Sequence, residues 1–303
     1  MKKETKIQES GTDLPKVETS PKKKTSQKAA AATADAADAK PEADEPPAPA
    51  KEATSEADPI CIVIPYLAAK AKGDELRYAV RAWEKSIPND IRIVIVGDKP
   101  AWAGKELLHI AHKPVSNNPQ VDVAHKMMAA IASDLVSDVF VWTNDDIYTL
   151  CPVQLADIMT LKSHGLLANR GKANGVYQEN AKRTLEALRK LGITAPYDYA
   201  THTPVVMEKE SLAKIIEDFG CDKEGHLVYT LYANSFFRDH RPIITQNDGR
   251  GSIIASVYRP NPDTRILDKV LATRKWVNNN DAGWTALEPK LKELFPDKCR
   301  FEK

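Results

Sequence analysis

Cysteine is scarce in this 303-residue sequence, and its four copies, Cys61, Cys151, Cys221 and Cys299, show no CxxC spacing. That disfavours a structural zinc site and a disulfide framework, and leaves free thiols in a reducing cytoplasm as the expected state. No apolar stretch approaches the roughly 20 residues needed to cross a bilayer, so no membrane span is expected. The opening MKKETKIQES carries lysines without an apolar run behind them, and a secretory signal is not expected either. Charge of one sign is also lacking: 43 basic side chains face 42 acidic ones, for a net +1. Such a balance removes the global field with which a chain collects nucleic acid or an anionic membrane.

Aromatic residues are absent before Tyr66. Residues 1–57 are dominated by Lys, Glu, Ala, Pro, Ser and Thr, and bury too little apolar surface to offset the entropy of ordering. A disordered N-terminal tail is expected there. Pro41, Pro46, Pro47 and Pro49 limit any helix begun in its Ala-rich centre. Lys22, Lys23 and Lys24 are the one place where the tail would touch nucleic acid or another acidic partner; otherwise it is a solvated tether. No linker follows residue 58, so residues 58–303 are expected to form one domain.

From Pro59 onward, strand and helix patterns alternate. ICIVIP (60–65) and IRIVIV (91–96) are apolar β runs, and ELRYAVRAWEK (75–85) sets Leu76, Ala79, Val80 and Trp83 at helical spacing. A weaker strand lies near 107–110, a helix is expected over 121–135, and VFVWT (139–143) reads as the next strand. This order predicts an α/β fold, Rossmann-like, with a mostly parallel sheet flanked by helices. Amphipathic helices follow at 180–191 and 209–219, separated by the loop PYDYATHTP (196–204). An apolar run at 253–258 and a closing helix at 285–295 complete the pattern.

The run VFVW ends in Asn144-Asp145-Asp146. Asp and Asn are poor strand formers, and adjacent carboxylates repel each other. In open parallel sheets, ligands collect beyond the carboxyl ends of the strands. If the chain stays extended, Asn144 and Asp146 share a face while Asp145 points away. One carboxylate and one amide oxygen then suit Mg²⁺ or Mn²⁺, whose shell is completed by water and substrate phosphate. Such an ion would neutralise charge on a departing diphosphate. Asp146 is the main metal ligand in this reading, and Asp145 joins it only where the chain turns. A cap or turn accounts for the same residues equally well.

His202, in Thr201-His202-Thr203-Pro204, is a loop histidine before an extended X-Pro step, suited to acid, base or phosphate contact. Arg77 and Arg81 offer guanidinium groups to a diphosphate; alternatively Glu75 and Arg81 are solvated charges on an amphipathic helix. Asp248 and Asp281 read as solvated turn residues.

Taken in order, ELRYAVR (75–81), IRIVIVGD (91–98), Pro100-Ala101-Trp102 and Asn144-Asp145-Asp146 resemble the second conserved region of the Stealth proteins. His202-Thr203-Pro204 resembles the opening of their third. Stealth proteins transfer sugar-1-phosphate from nucleotide sugars, and their core is similar to the GT-A fold of nucleotide-sugar glycosyltransferases. The resemblance implies a cytoplasmic, GT-A-like transferase of bacterial or phage type. It also implies a nucleotide-diphosphosugar donor and an acceptor that is a saccharide or another hydroxyl-bearing molecule. Mg²⁺ or Mn²⁺ would lie at Asp146 and Asp145. Asp146, Asp145 and His202 would act in catalysis, with Asn144, Arg77 and Arg81 around the donor.

The chain departs from the family pattern at three places: Ile64-Pro65-Tyr66-Leu67 replaces an acidic turn, Lys126-Met127 an acid, and Tyr232 stands near an expected arginine. Glycosyl transfer is therefore the leading expectation, and Stealth-type sugar-1-phosphate transfer the alternative. A catalytically inactive GT-A-like binding protein is a further alternative.

Overall fold

The structure, a computed structural model, describes residues 58–170, 174–245 and 253–303. The expected tail, residues 1–57, and Asp248 lie outside the described residues.

Ile60–Tyr66 forms β1, Glu75–Ser86 α1 and Ile91–Gly97 β2. The two β-branched strands pair in parallel from Ile60↔Ile91 to Tyr66↔Gly97. Leu108–Ala111, β3, extends this sheet beside β2, again parallel. Pro119–Ile131 forms α2, two residues ahead of the expected start. The cause is local: the Asn118 side chain accepts the Gln120 N–H, and Pro119 occupies the first helical position, where its missing N–H does no harm. Val139–Trp142, β4, lies parallel to β1 on the side away from β2.

Beyond β4 the chain leaves this sheet. Ile147–Thr149 is β5, Leu155–Met159 α3, Lys162–Ser163 β6 and Val176–Lys190 α4. Val205–Glu208, β7, then returns antiparallel to β4 and completes the strand order β3-β2-β1-β4-β7. Lys209–Phe219 (α5) and Val228–Phe236 (α6) follow, and Ile243–Ile244 (β8) pairs with β6. Ile254–Val257 (β9), Thr264–Thr273 (α7), Trp276–Asn279 (β10) and Asp281–Leu294 (α8) end the series. A second sheet has the order β5-β10-β9, with β10 antiparallel to β5 and parallel to β9. The mostly parallel sheet flanked by helices is the fold class that the alternating pattern predicts.

Alternate residues of β1 feed two cores. Cys61 and Val63 join Met127 of α2, Ile215 of α5 and Leu231 of α6; Ile62 and Ile64 join Leu76, Val80 and Trp83 of α1. A strand buried on both faces must read as an unbroken apolar run, which is why ICIVI does. Each such side chain contributes about 1.5–3 kcal/mol on burial. Because α1 and α2 lie on opposite faces and β2 and β4 on opposite sides of β1, the strand order reverses between β1 and β4. Crevices form beyond the carboxyl ends of strands at such a point.

Gly97 keeps that end of β1 in place. With φ at +135° it adopts a backbone conformation open to glycine, and an added Cβ would stand 1.9 Å from the Tyr66 carbonyl oxygen.

After α8 the chain runs back over α1. The buried Glu302 carboxylate accepts hydrogen bonds from Arg77 Nε (2.5 Å) and from Arg81 Nε (2.5 Å) and Nη2 (3.0 Å). Arg81 Nη1 also donates to the Phe295 carbonyl at 2.8 Å. Burial pushes the Glu302 carboxyl up, but the bonds from Arg81 and Arg77 overcome it and bring it down to about 2. Glu302→Ala leaves the buried Arg81 without a counter-charge and Arg77 with Asp74 alone, and is expected to cost roughly 3 kcal/mol of stability. A urea denaturation series measures it; an unchanged midpoint would show that this ion cluster contributes nothing.

Candidate functional site

The turn is set by where the β4 ladder stops. Thr143 N–H still reaches the Val63 carbonyl at 3.1 Å; then Asn144 and the Asp145–Asp146 turn carry the chain into β5 of the second sheet. The segment therefore does not stay extended, and the alternation expected to separate Asp145 from Asp146 is lost. Asn144, Asp145 and Asp146 together line one cavity of about 600 Å³. It opens at the switch point, between the end of β1 (Pro65, Tyr66, Leu67) and the first turns of α2 (Asp122, Lys126). Glu75 from α1 and Asn279 to Asp281 from the β10–α8 junction complete its wall.

The cavity is acidic in a way that the fold does not neutralise. Loss of water, then the neighbouring Asp146, then Glu75 push the Asp145 carboxyl up to about 8. Loss of water and then Glu75 raise Asp146 to about 7. Asp146 Oδ1 is buried without a hydrogen-bond partner. Lys126 draws Asp145 the other way, but its ammonium is held by Asp122 at 2.9 Å. Burial, then Asp145, also raises the Tyr66 hydroxyl.

Glu75 is not the solvated charge that its helix pattern suggested. It is 6% exposed, and its oxygens accept from Lys72 N–H and Asn279 Nδ2, each at 2.6 Å. Asn279 Oδ1 in turn accepts the Tyr148 hydroxyl at 2.9 Å. A chain of hydrogen bonds thus ties α1, β10 and β5 together behind the acidic turn.

The donor set fits a hard cation of one kind. Among the described residues no three His, Cys, Asp or Glu side chains are grouped so as to hold an ion. Adjacent carboxylates with an orphaned buried oxygen suit Mg²⁺ or Mn²⁺ bound through one or two protein oxygens, with water and substrate phosphate supplying the rest. Asp145 and Asp146 are the residues that would hold it, and the protons they carry would be displaced.

His202 stands elsewhere. It lines a slot of about 180 Å³ and a further cavity of about 550 Å³. Asn144 and Val123 border both the acidic cavity and the slot; Tyr177, Ala200, Thr201 and His202 border both the slot and the far cavity. Asp146 and His202 are therefore not in one cavity; Asn144 borders both the cavity of Asp146 and the slot that His202 lines. His202 is the one non-glycine residue with positive φ among the described residues, at +50°, a conformation that persists only where the surroundings impose it. Thr201 Oγ1 and Thr203 Oγ1 are bonded across it at 2.8 Å. Packing around the ring and then Arg170 push its pKa down; its side chain stays open to water at the cavity mouth, which weakens that push.

Arg77 and Arg81 do not line the acidic cavity; both are bonded to Glu302. Asp281 does border the acidic cavity, from the first turn of α8, where it pairs with Lys72 at 3.1 Å. Glu75, Asn279 and Lys126 belong to the cavity wall and were not read as site residues. For Asn279 a signal existed: WVNNND repeats the pattern of VFVWTNDD, apolar strand residues running straight into Asn and Asp.

No protein-family model matches the chain, and no curated protein matches it. Among solved structures the chain is similar to the galactosyltransferase LgtC in complex with donor and acceptor sugar analogues. The identity is 12%, covering 79% of this chain and 96% of that one, with a TM-score of 0.44. It is also similar to an active-site mutant of LgtC, at 12% identity over 78% of this chain and 95% of that one, with a TM-score of 0.41.

The raised acids make stability depend on pH with a definite sign. Between about pH 4 and 8 the folded carboxyls hold protons that the unfolded chain has released, so stability falls as pH rises through that window. The double variant Asp145→Asn, Asp146→Asn removes the dependence. In EDTA it is expected to melt above the parent at about pH 8.5 and close to it near pH 4, where both carboxyls of the folded parent are protonated. Calorimetric melting at the two pH values checks this; a variant that melts lower at high pH contradicts the reading.

Proposed function

We propose that this chain is a GT-A-like glycosyltransferase that moves a sugar from a nucleoside diphosphosugar to an acceptor hydroxyl, with Mg²⁺ or Mn²⁺ at Asp145 and Asp146. The single observation that carries the reading is the acidic turn, with an orphaned carboxylate oxygen, opening into a roomy cavity at the switch point of the sheet. Two carboxylates that remain unpaired there fit a ligand that arrives with its own cation and phosphates.

In this reading the donor lies in the acidic cavity, where Asp145 and Asp146 would hold the cation, which would supply positive charge to a departing diphosphate. Lys70 supplies further positive charge on the wall. Glu75, fixed by Asn279 and Lys72, holds the β10 edge of the cavity in register with α1. Asn144 borders both donor cavity and slot, where its amide orients the sugar between them. The acceptor oxygen bonds to the anomeric carbon, the bond to the phosphate oxygen breaks, and its electron pair leaves with the nucleoside diphosphate. His202, on the border between the slot and the far cavity, takes the hydroxyl proton.

Incubation with UDP-, GDP- and dTDP-sugars, Mn²⁺ and a mixture of saccharides tests the reaction by chromatography of the spent nucleotide. Nucleoside diphosphate is the expected product. Nucleoside monophosphate would instead mean sugar-1-phosphate transfer, and no Mn²⁺-dependent binding of any donor would leave a binding protein. Asp146→Asn is expected to lower turnover on the order of 10²–10³-fold without lowering the melting temperature. Full turnover in that variant would remove Asp146 from the mechanism.

A further inference from the structure

The far cavity, about 550 Å³, falls within the ~300–1,000 Å³ range of small-ligand sites, and its chemistry differs from that of the acidic one. Its centre is the Arg170–Asp198 ion pair. Asp198, 3% exposed, also accepts the Ala200 N–H at 3.1 Å. The Arg170 guanidinium lies 4.6 Å over the Tyr177 ring, and its Nε is buried without a partner. His164 borders the same space and is bonded through Nδ1 to Thr245 Oγ1 at 2.9 Å. Tyr258 stands at the wall with about half of its surface open.

Charge decides what fits. The one guanidinium and the one carboxylate cancel. Desolvation lowers the pKa of His164 against the pull of Asp198, and the same push on His202 is weakened by its exposure. What remains is a wall of fixed donors and acceptors, in which the one ion pair cancels, and an open aromatic ring. A neutral ring bearing many hydroxyls matches each of these; an anion would have to displace Asp198 from Arg170.

The loop that builds the wall is held rigid from behind. Asp198 N–H reaches Gly165 O at 2.8 Å, Ser163 Oγ donates to Asp198 O at 2.9 Å, and Tyr199 N–H reaches Thr230 Oγ1 at 3.2 Å. Such a wall is formed before any ligand arrives.

We propose that this cavity is a second substrate site that binds a neutral, hydroxyl-rich saccharide through Arg170, Asp198 and Tyr258. It rests on the transferase reading only in naming that saccharide the acceptor, delivered to the slot past His202.

Saturation-transfer NMR on the full chain tests it, with methyl glucopyranosides, methyl galactopyranosides, lactose and maltose set against glucuronate and galacturonate. At least one neutral sugar is expected to bind, about tenfold or more tighter than the uronates. Tyr258→Ala, an open position that does not disturb folding, is expected to weaken that sugar about three- to tenfold. Asp198→Asn should weaken it as well while Mn²⁺-dependent nucleotide binding is retained. No neutral sugar bound, uronates preferred, or both variants binding like the parent would each overturn the proposal. Saccharide binding with no nucleotide binding would defeat the transferase reading and leave this site standing.

Discussion

Asp145 and Asp146 stand side by side at a chain reversal where little water reaches them, with Glu75 close behind. Carboxylates so placed hold their protons to unusually high pH or require a cation. The fold accepts the arrangement because the turn is where β4 leaves the parallel sheet and β5 enters the smaller one. Neither ladder can be extended through it, so the backbone there is free to take the sharp path that puts both side chains on the same wall. Lys126 does not relieve the repulsion, since Asp122 already holds it. The repulsion is relieved only when the carboxyls hold protons or meet positive charge from elsewhere.

The three cavities give the cleft two unlike ends. One end carries surplus negative charge and faces the carboxyl ends of β1 and β4. The other is balanced by an internal ion pair and edged by aromatic rings. Asn144 and His202 mark the borders of the slot between them. A two-substrate reaction needs this asymmetry, because each reactant must prefer its own end while their reacting atoms meet in the middle.

Much of the parallel sheet was legible because burial on both faces leaves unbroken β-branched runs, as at 60–65 and 91–96. Helix α5 was legible to the residue, since its apolar spacing begins and ends cleanly at Lys209 and Phe219. The second sheet was not. Strand β5 is three residues long, and β10 hides two buried asparagines, Asn278 and Asn279, in what reads as a polar loop. The acidic turn was found with its two outcomes open, extended or turned, and the end of the β4 ladder at Thr143 decides for the turn. Arg77 and Arg81 are bonded to Glu302. Their partner lies 225 and 221 positions away, and no local pattern announces it.

That distant partner has a bearing on how the protein comes into being. Helix α1 brings Glu75 to the acidic cavity, yet its two arginines are settled by a residue made more than two hundred codons later. Until that residue is made, Arg81 lacks its counter-charge and Arg77 has only Asp74, 3.7 Å away, to answer it. Loss of Glu302 would therefore reach the acidic cavity through α1, the helix that carries both arginines and Glu75.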